Sequence, residues 1–296
     1  MLTHRKGSDI LKRLAVLGST GMAGHMVACY LNEQGYDVYC ASRSEKNTSH
    51  SRAVDVTDFP ALSNWLDEIA PEVIVNCVGL LQRDCEARAD LAVLINSYLP
   101  HFLERRSAAT DCKVVHLSTD CVFSGTRGGC REDALPDGRT MYDRSKALGE
   151  LQNEKDLTLR MSIIGPDPDA QGTGLFNWFM MQSGGIQGWG GALWNGVTTF
   201  ELARGIDAAV KNQLSGLYHF VPKEPIDKCS LLELIGEVFD KRNVKIHRVA
   251  EPEIDKTLMN TRTDFSFAIR DYRTQMEDMK AWVLDHRELY PHYFHR

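Results

Sequence analysis

Tyr142-Asp-Arg-Ser-Lys146 spells Y-x-x-x-K. On a helix, positions i and i+4 share a face, so a phenol and an ammonium would stand side by side. The ammonium favours the phenolate, lowers the phenol from its ordinary value of about 10, and makes it a usable proton donor to a carbonyl under reduction. By itself the pair is also what an ordinary exposed helix produces by chance. A second group, Ser118-Thr119-Asp120, follows the apolar run Val114–Leu117. In a parallel sheet the C-terminal ends of strands carry the ligand-contacting groups. Thr119 could hydrogen-bond a substrate oxygen there and orient it, although Ser-Thr-Asp also serves as a turn or helix cap.

Upstream lies Gly18-Ser-Thr-Gly21-Met-Ala-Gly24, directly after an apolar run and before a helical pattern. Glycines allow a tight turn and close approach of a pyrophosphate, whose charge the helix N-terminus favours. The spacing is G-x-x-G-x-x-G, unlike the usual G-x-G-x-x-G, and no lysine follows as in a Walker loop. The next strand ends in Ser42-Arg43-Ser44, without the carboxylate that would hold the ribose 2′-hydroxyl of NAD. Arg43 could instead clamp a 2′-phosphate, which points to NADP with NAD still possible; the alternative is a solvated surface arginine. Asp55-Val56 ends a further short apolar step, where Asp55 either hydrogen-bonds an adenine or simply terminates the strand.

These groups need a scaffold. Apolar strands are expected at Leu14–Leu17, Tyr36–Ala41, Val73–Val78, Lys113–Leu117, Leu157–Ile163 and Gly216–Val221. Helical spacing covers Met22–Asn32, Phe59–Ile69, Glu86–Arg106 (kinked or split at Pro100), Tyr142–Asn153, Thr199–Asn212 and Ser230–Phe239, the last with Ser230 as N-cap. Alternation of this kind means an α/β, Rossmann-type, doubly wound parallel sheet covered on both faces. After Gly165 the pattern changes. Pro166 and Pro168 break it, and residues 184–196, with six glycines and two tryptophans, read as a loop. The expected division is a dinucleotide-binding domain of residues 12–165 plus 197–222, and a smaller, discontinuous C-terminal substrate lobe of 166–196 plus 223–296. Residues 1–11 read as a loose lead-in.

With 296 residues the chain has room for two folded units. Hydrophobic residues make up 43% and charged residues 25%, which excludes disordered and fibrous classes. A net charge of −6 argues against nucleic acid as a partner. No apolar run approaches the roughly 20 residues of a membrane span, and the polar start lacks a secretory signal, so a cytoplasmic protein is expected. The eight cysteines form no CxxC or zinc pattern and read as free thiols. His286, His292 and His295 cluster near the C-terminus but read as a mobile or solvated tail, and no metal set stands out.

In combination the motifs resemble the extended short-chain dehydrogenase/reductases, and more narrowly the dTDP-4-dehydrorhamnose reductase family. The match is carried by GSTGMAGH at 18–25, DVTD at 55–58, VIVNCVG at 73–79, STDCVFSG at 118–125 and YDRSKALGE at 142–150. It is firm over about residues 12–165. The resemblance implies that Thr119, Tyr142 and Lys146 are catalytic. Hydride would pass from the nicotinamide to C4 of a 4-keto-6-deoxy nucleotide sugar, and Tyr142 would protonate the alkoxide. Lys146 would also bind the nicotinamide ribose. The implied cofactor set is Gly18, Thr20, Gly21, Met22, Gly24, Arg43, Asp55, Val56, Cys77, Val78, Gly79, Asn96, Tyr142 and Lys146.

The chain also departs from that family. Cys121 stands where a tyrosine commonly follows Ser-Thr-Asp, and the Asp-Glu acid pair of related dehydratases is missing. The usual C-terminal substrate loop is poorly matched, so Phe123, Trp178, Trp189, Trp194 and Thr198 are the substrate candidates. Trp189 and Trp194 either stack on a base or sugar face or are buried anchors. A nucleotide sugar is the expected partner, with a homodimer as the family default. Some family members are reported to bind magnesium between subunits, but no ligands for it are identifiable here. An epimerase with retained cofactor, or an NADP-binding regulatory subunit, would share the same motifs.

Overall fold

The computed structural model describes residues 12–294. The lead-in of residues 1–11 and His295 lie outside the described residues.

The first half alternates as its periodicity requires: β1 (Arg13–Leu17), α1 (Met22–Glu33), β2 (Asp37–Ser42), β3 (Ser51–Ala53), α2 (Phe59–Ile69), β4 (Val73–Asn76), α3 (Gln82–Ala87), α4 (Ala89–Ala92), α5 (Leu99–Ser107), β5 (Lys113–Leu117), α6 (Met141–Leu148), β6 (Leu157–Arg160) and β7 (Ile163–Ile164). The second half continues with α7 (Leu175–Met181), β8 (Gly184–Trp189), β9 (Ala192–Trp194), β10 (Val197–Thr198), α8 (Thr199–Lys211), β11 (Gly216–His219), β12 (Ile226–Asp227), α9 (Lys228–Val238), β13 (Val244–Val249), β14 (Ile254–Asp255) and α10 (Tyr272–Asp285). Seven strands form one sheet in the order β11-β6-β5-β4-β1-β2-β3. Every pairing in it is parallel. This is the doubly wound Rossmann arrangement, whose order reverses beside β1 and so opens a ligand crevice at the strand C-termini.

Both faces of the sheet are covered. Leu14 and Val16 of β1 join one buried cluster with Met26 and Val27 of α1 and Leu202 and Ile206 of α8. Ala15 and Leu17 point the other way, into a cluster with Leu62 and Leu66 of α2 and Leu103 of α5. A third cluster joins Phe176 and Phe179 of α7, Trp194, Leu231 and Ile235 of α9, and Met276 and Met279 of α10.

Several sequence expectations need correction. Residues 184–196 are not a loop: β8 pairs in parallel with β13 from Gly184 to Trp189, and β9 lies between β12 and β14. The glycine content has a packing cause, because a Cβ at Gly188 would lie 2.6 Å from Cys229 Sγ and 2.7 Å from Ile246 Cγ2. The Glu86–Arg106 helix is in pieces, with a π-helical stretch over Val93–Tyr98. Pro100 is the second residue of α5, directly after the π-helical stretch, so its missing N–H falls where the hydrogen-bond ladder changes form. Helix α6 ends at Leu148 and not near Asn153, with Gly149 as its C-cap, where a Cβ would lie 1.9 Å from the Asn96 carbonyl oxygen. Strand β6 stops at Arg160. Asp227, not Ser230, caps α9, and it accepts the Ser230 N–H.

Up to Phe294 the C-terminal segment is packed and not a solvated tail. His286 stacks on Trp282 at 3.8 Å between ring centroids, and its Nε2 lies 2.8 Å from Glu33. His292 keeps its Nε2 buried. Tyr290 is fully buried and donates its hydroxyl to His25 Nε2 at 2.6 Å. None of the eight cysteines is in a disulfide. Among the described residues no helix is long and apolar enough to cross a membrane.

Candidate active site

The glycine loop turns between β1 and α1, and each glycine answers to a different constraint. Gly18 has φ +78°, a left-handed conformation that suits glycine, and a Cβ there would press on Val78 at 3.1 Å. A Cβ at Gly24 would lie 2.0 Å from the Gly18 carbonyl oxygen. Gly21 is exposed, and a Cβ on it would be in ordinary contact at 3.5 Å. Packing therefore demands glycine at 18 and 24, whereas at 21 the bare backbone faces outward. No side chain caps α1 and its first turn holds no acidic residue, which leaves the positive helix end open to an anion. The geometry suits a pyrophosphate.

The end of β2 borders this loop. Thr20 Oγ1 lies 3.0 Å from Ser42 Oγ and 3.2 Å from Ser44 Oγ. Between those serines, Arg43 is exposed and makes no ion pair among the described residues. Its charge helps hold Asp55 below the ordinary carboxylate range, after the hydrogen bonds from Thr57. Asp55 Oδ1 accepts both the Thr57 N–H at 2.9 Å and the Thr57 hydroxyl at 2.8 Å. Glu45 sits on the same rim and accepts the Ser19 hydroxyl at 2.7 Å.

Of the remaining expected cofactor residues, Val56 is buried beside Asp55, and Cys77-Val78-Gly79 follows β4 with Val78 against Gly18. Asn96 is fully buried: its Oδ1 accepts the Leu80 N–H at 2.8 Å, and its Nδ2 donates to the Leu80 carbonyl and to Ser145 Oγ. Its amide thus ties the segment after β4 to α6. Met22 faces Gly174, where a Cβ would meet its sulfur at 2.9 Å.

Helix α6 brings Tyr142 and Lys146 to the C-terminal end of β5. A reciprocal cap starts it, with Thr140 accepting the Asp143 N–H and Asp143 accepting the Thr140 N–H. Thr119 also begins a short turn, Asp120–Val122: its hydroxyl accepts the Cys121 N–H at 3.1 Å and donates to Asp120 Oδ1 at 3.1 Å. Burial raises the Tyr142 phenol above its ordinary value, with the neighbouring Cys121 adding to the rise and a hydrogen bond with Thr119 opposing it. The lowering expected from Lys146 is not found. Lys146 is itself buried and donates to the Leu117 carbonyl at 2.6 Å. Burial brings its ammonium down to about 8, opposed by the Glu150 carboxylate. Tyr142 therefore holds its proton firmly at neutral pH, and Lys146 holds one loosely.

Sequence reasoning passed over several groups around this pair. Glu150, one turn beyond Lys146, accepts the Ser118 hydroxyl at 2.6 Å and both Nε and Nη2 of the buried Arg160. His116 lies 3.4 Å from Lys146 Nζ. Its signal was available, because a histidine inside Val114–Leu117 must be buried with a partner. Asp120 is buried, which raises its carboxyl, and Lys256 and Lys228 oppose that rise. Nothing in the sequence distinguished those two lysines.

The substrate candidates separate into two groups. Phe123 is 2% exposed under the Arg160 guanidinium, and Trp194 is 5% exposed against Tyr272. Thr198 is fully buried as the cap of α8. These three are used in packing and do not present a surface to a ligand. Trp178 and Trp189 are about two-fifths exposed. They line a cavity of about 520 Å³ with Leu175, Ile186, Gln187, Lys228 and Leu232. The Lys228 ammonium lies over the Trp189 ring at 5.6 Å. Among the described residues no three His, Cys, Asp or Glu side chains converge as a metal set.

Comparison with known proteins agrees with this architecture. Residues 12–164, slightly more than half of the chain, match the RmlD substrate binding domain family. A probable low-salt glycan biosynthesis reductase, Agl14 of Haloferax volcanii, is 32% identical over 157 residues, or 50% of this chain and 52% of that one. Methionine adenosyltransferase 2 subunit beta of Xenopus tropicalis is 27% identical over 163 residues, or 53% and 48%. The chain thus spans about half the length of the curated relatives it matches. Among solved structures, dTDP-4-dehydrorhamnose reductase of Bacillus anthracis in complex with NADP superposes with a TM-score of 0.77 at 20% identity, covering 92% of this chain and 100% of that one. Bordetella bronchiseptica WbmH in complex with NAD+ gives 0.73 at 15% identity, covering 93% and 99%. The family match, the sheet order and the placement of Y-x-x-x-K at the same C-terminal edge of the parallel sheet as the glycine loop lead to one conclusion: this chain belongs to the RmlD substrate binding domain family of the extended short-chain dehydrogenase/reductases.

Proposed function

We propose that the chain is an NADP-preferring reductase of a 4-keto-6-deoxy nucleotide sugar. The observation that carries this reading is the meeting of Thr119, Tyr142 and Lys146 at the end of β5 within a fold whose glycine loop suits a dinucleotide. Gly18, Thr20, Gly21 and Gly24, with the open end of α1, would hold the pyrophosphate. Arg43, exposed and unpaired among the described residues, would take the 2′-phosphate. Cys77, Val78 and Gly79 would wall the adenosine and ribose side, with the buried Asn96 holding that segment from behind and Asp55-Val56 at the adenine. A bound reduced nicotinamide supplies hydride to a carbonyl.

The chain's own residues would do the rest. Thr119 orients the substrate oxygen. Tyr142 gives that oxygen its proton, and the phenol's raised proton affinity keeps the proton in place until negative charge develops. Lys146, near 8, restores it. The small sheets with α7 and α9 would form the substrate lobe. Their cavity between Trp178 and Trp189 suits a flat base, and Lys228 and Lys256 would meet the diphosphate on the way to the sugar.

The second reading is an NADP-binding subunit, favoured by the likeness to a methionine adenosyltransferase subunit. An epimerase that returns the hydride would use the same three side chains. One experiment separates them: purified protein with NADPH is offered a panel of 4-keto nucleotide sugars while absorbance at the nicotinamide band is followed. A reductase consumes NADPH in proportion to the sugar. An epimerase converts sugar without net consumption, and a subunit does neither.

A further inference from the structure

Behind Lys146 the sheet holds two polar side chains that the proposed reaction does not use. Asn76 ends β4 and His116 lies on β5, paired in register across the sheet, and both are fully buried. Asn76 Oδ1 accepts the Val78 N–H at 3.2 Å, which fixes the orientation of the amide. Its Nδ2 therefore faces His116 Nδ1, at 3.1 Å. An amide nitrogen only donates, so Nδ1 must accept and carries no hydrogen. Burial holds the ring well below the ordinary histidine range, with the Lys146 charge adding to this and His101 of α5 adding further, so the ring is neutral. A neutral imidazole has one N–H, which must then sit on Nε2. That nitrogen is 3.4 Å from Lys146 Nζ.

The contact treats the two states of the lysine differently. An ammonium has only donors, and two donors facing each other repel. A neutral amine offers a lone pair that accepts the Nε2–H. The bond from Nζ to the Leu117 carbonyl serves either state. The other groups facing Lys146 do not make this distinction. Cys85 of α3 and Cys77 after β4 are thiols pushed up by burial, Cys77 to about 12. Glu150, just past the end of α6, favours the ammonium, but Ser118 and Arg160 already engage its carboxylate.

We infer that Asn76 and His116 are positioning residues for Lys146: the amide locks the imidazole as the Nε2–H tautomer, and that N–H presses the lysine to release its proton towards Tyr142. The release towards Tyr142 rests on the reductase reading above, whereas the tautomer lock does not. The proton stays within the chain: it leaves Nζ as Tyr142 gives its own to the substrate oxygen. Nζ takes a proton again from water between turnovers.

Nitrogen-15 NMR of the imidazole rings in the full chain tests the lock without activity. The His116 signals are assigned by their loss in His116→Gln, or by through-bond correlation in the unaltered protein should that variant not fold. Nδ1 is expected at the position of an unprotonated ring nitrogen and Nε2 at that of an N–H, unchanged between pH 6 and 9. An N–H at Nδ1 would overturn the proposal. For the effect on Lys146, Asn76→Ala frees the ring to take the other tautomer. The limb of the kcat profile that reports the lysine should then move up by roughly one pH unit, the size of one ordinary hydrogen bond, with KM little changed. A limb that stays in place, with the tautomer seen to switch, overturns the coupling. A lock seen in a protein that reduces no substrate upholds the tautomer and removes only the catalytic reading.

Discussion

Gly24 and Gly18 touch across the loop so closely that a Cβ on the first would lie 2.0 Å from the carbonyl oxygen of the second. Backbone faces backbone, so no side chain can give way. Gly21, three residues from each, has no such neighbour. The same motif thus contains glycines required by folding and one left open for a ligand.

Gly24→Ala should cost about 3 kcal/mol or more, because the helix must move off the loop. Gly21→Ala should leave the unfolding free energy within about 1 kcal/mol of the parent, the scale of a changed N-cap. Its NADPH affinity should nevertheless fall by at least about tenfold, equivalent to 1.4 kcal/mol. Urea melts and fluorescence titration check both. A Gly21→Ala protein that binds NADPH normally would remove the pyrophosphate from this loop.

Arg43 sits between two serines that touch Thr20, and no carboxylate among the described residues pairs with it. Arg43→Glu replaces a phosphate partner with a like charge. NADPH affinity should drop by about a hundredfold, the loss of a charge-assisted contact of roughly 3 kcal/mol. NADH affinity should change far less. Equal losses would show that Arg43 does not read the 2′-phosphate.

The C-terminal segment is held to the cofactor loop through His25. Trp282 Nε1 donates to the Tyr290 hydroxyl at 3.3 Å, that hydroxyl donates to His25 Nε2, and His25 Nδ1 donates to the Gly21 carbonyl at 2.9 Å. Burial lowers His25 from 6.5 to about 4, more than its backbone hydrogen bonds raise it. The unfolded chain therefore binds this proton more readily than the folded one. The contribution to stability is whole above the unfolded value near 6.5 and is lost as pH falls towards 4. The loss amounts to about 3 kcal/mol. Urea denaturation across that range should show His25→Gln losing less stability than the parent by this amount. Parallel curves would mean that His25 does not titrate as its burial requires.

Much of the cofactor half could be read from sequence because its signals are local. Phe59–Ile69 matches the helix residue for residue, and Leu14–Leu17 falls within β1. An apolar run followed by a glycine loop and a periodic helix leaves few other folds. The second half was harder, because its strands take their meaning from distant partners. Gly184–Trp189 reads as a loop until β13, more than fifty residues later, supplies the ladder and α9 the close contact. Trp194 and Trp189 look alike in sequence, yet one is a buried anchor and the other lines a cavity, since only tertiary packing separates them. The Tyr142–Lys146 spacing was legible, but the sign of the phenol's shift was not. Burial raises the phenol, and burial is a property of the assembled site.

The central claim is that Tyr142 is the proton donor of a net reduction. Its most direct test compares NADPH consumption by the parent and by Tyr142→Phe, with one 4-keto nucleotide sugar, alongside NADPH affinity. Removing the acid while keeping the ring should cut turnover by about a hundredfold or more and leave cofactor affinity intact. Equal turnover in the two proteins would contradict the account.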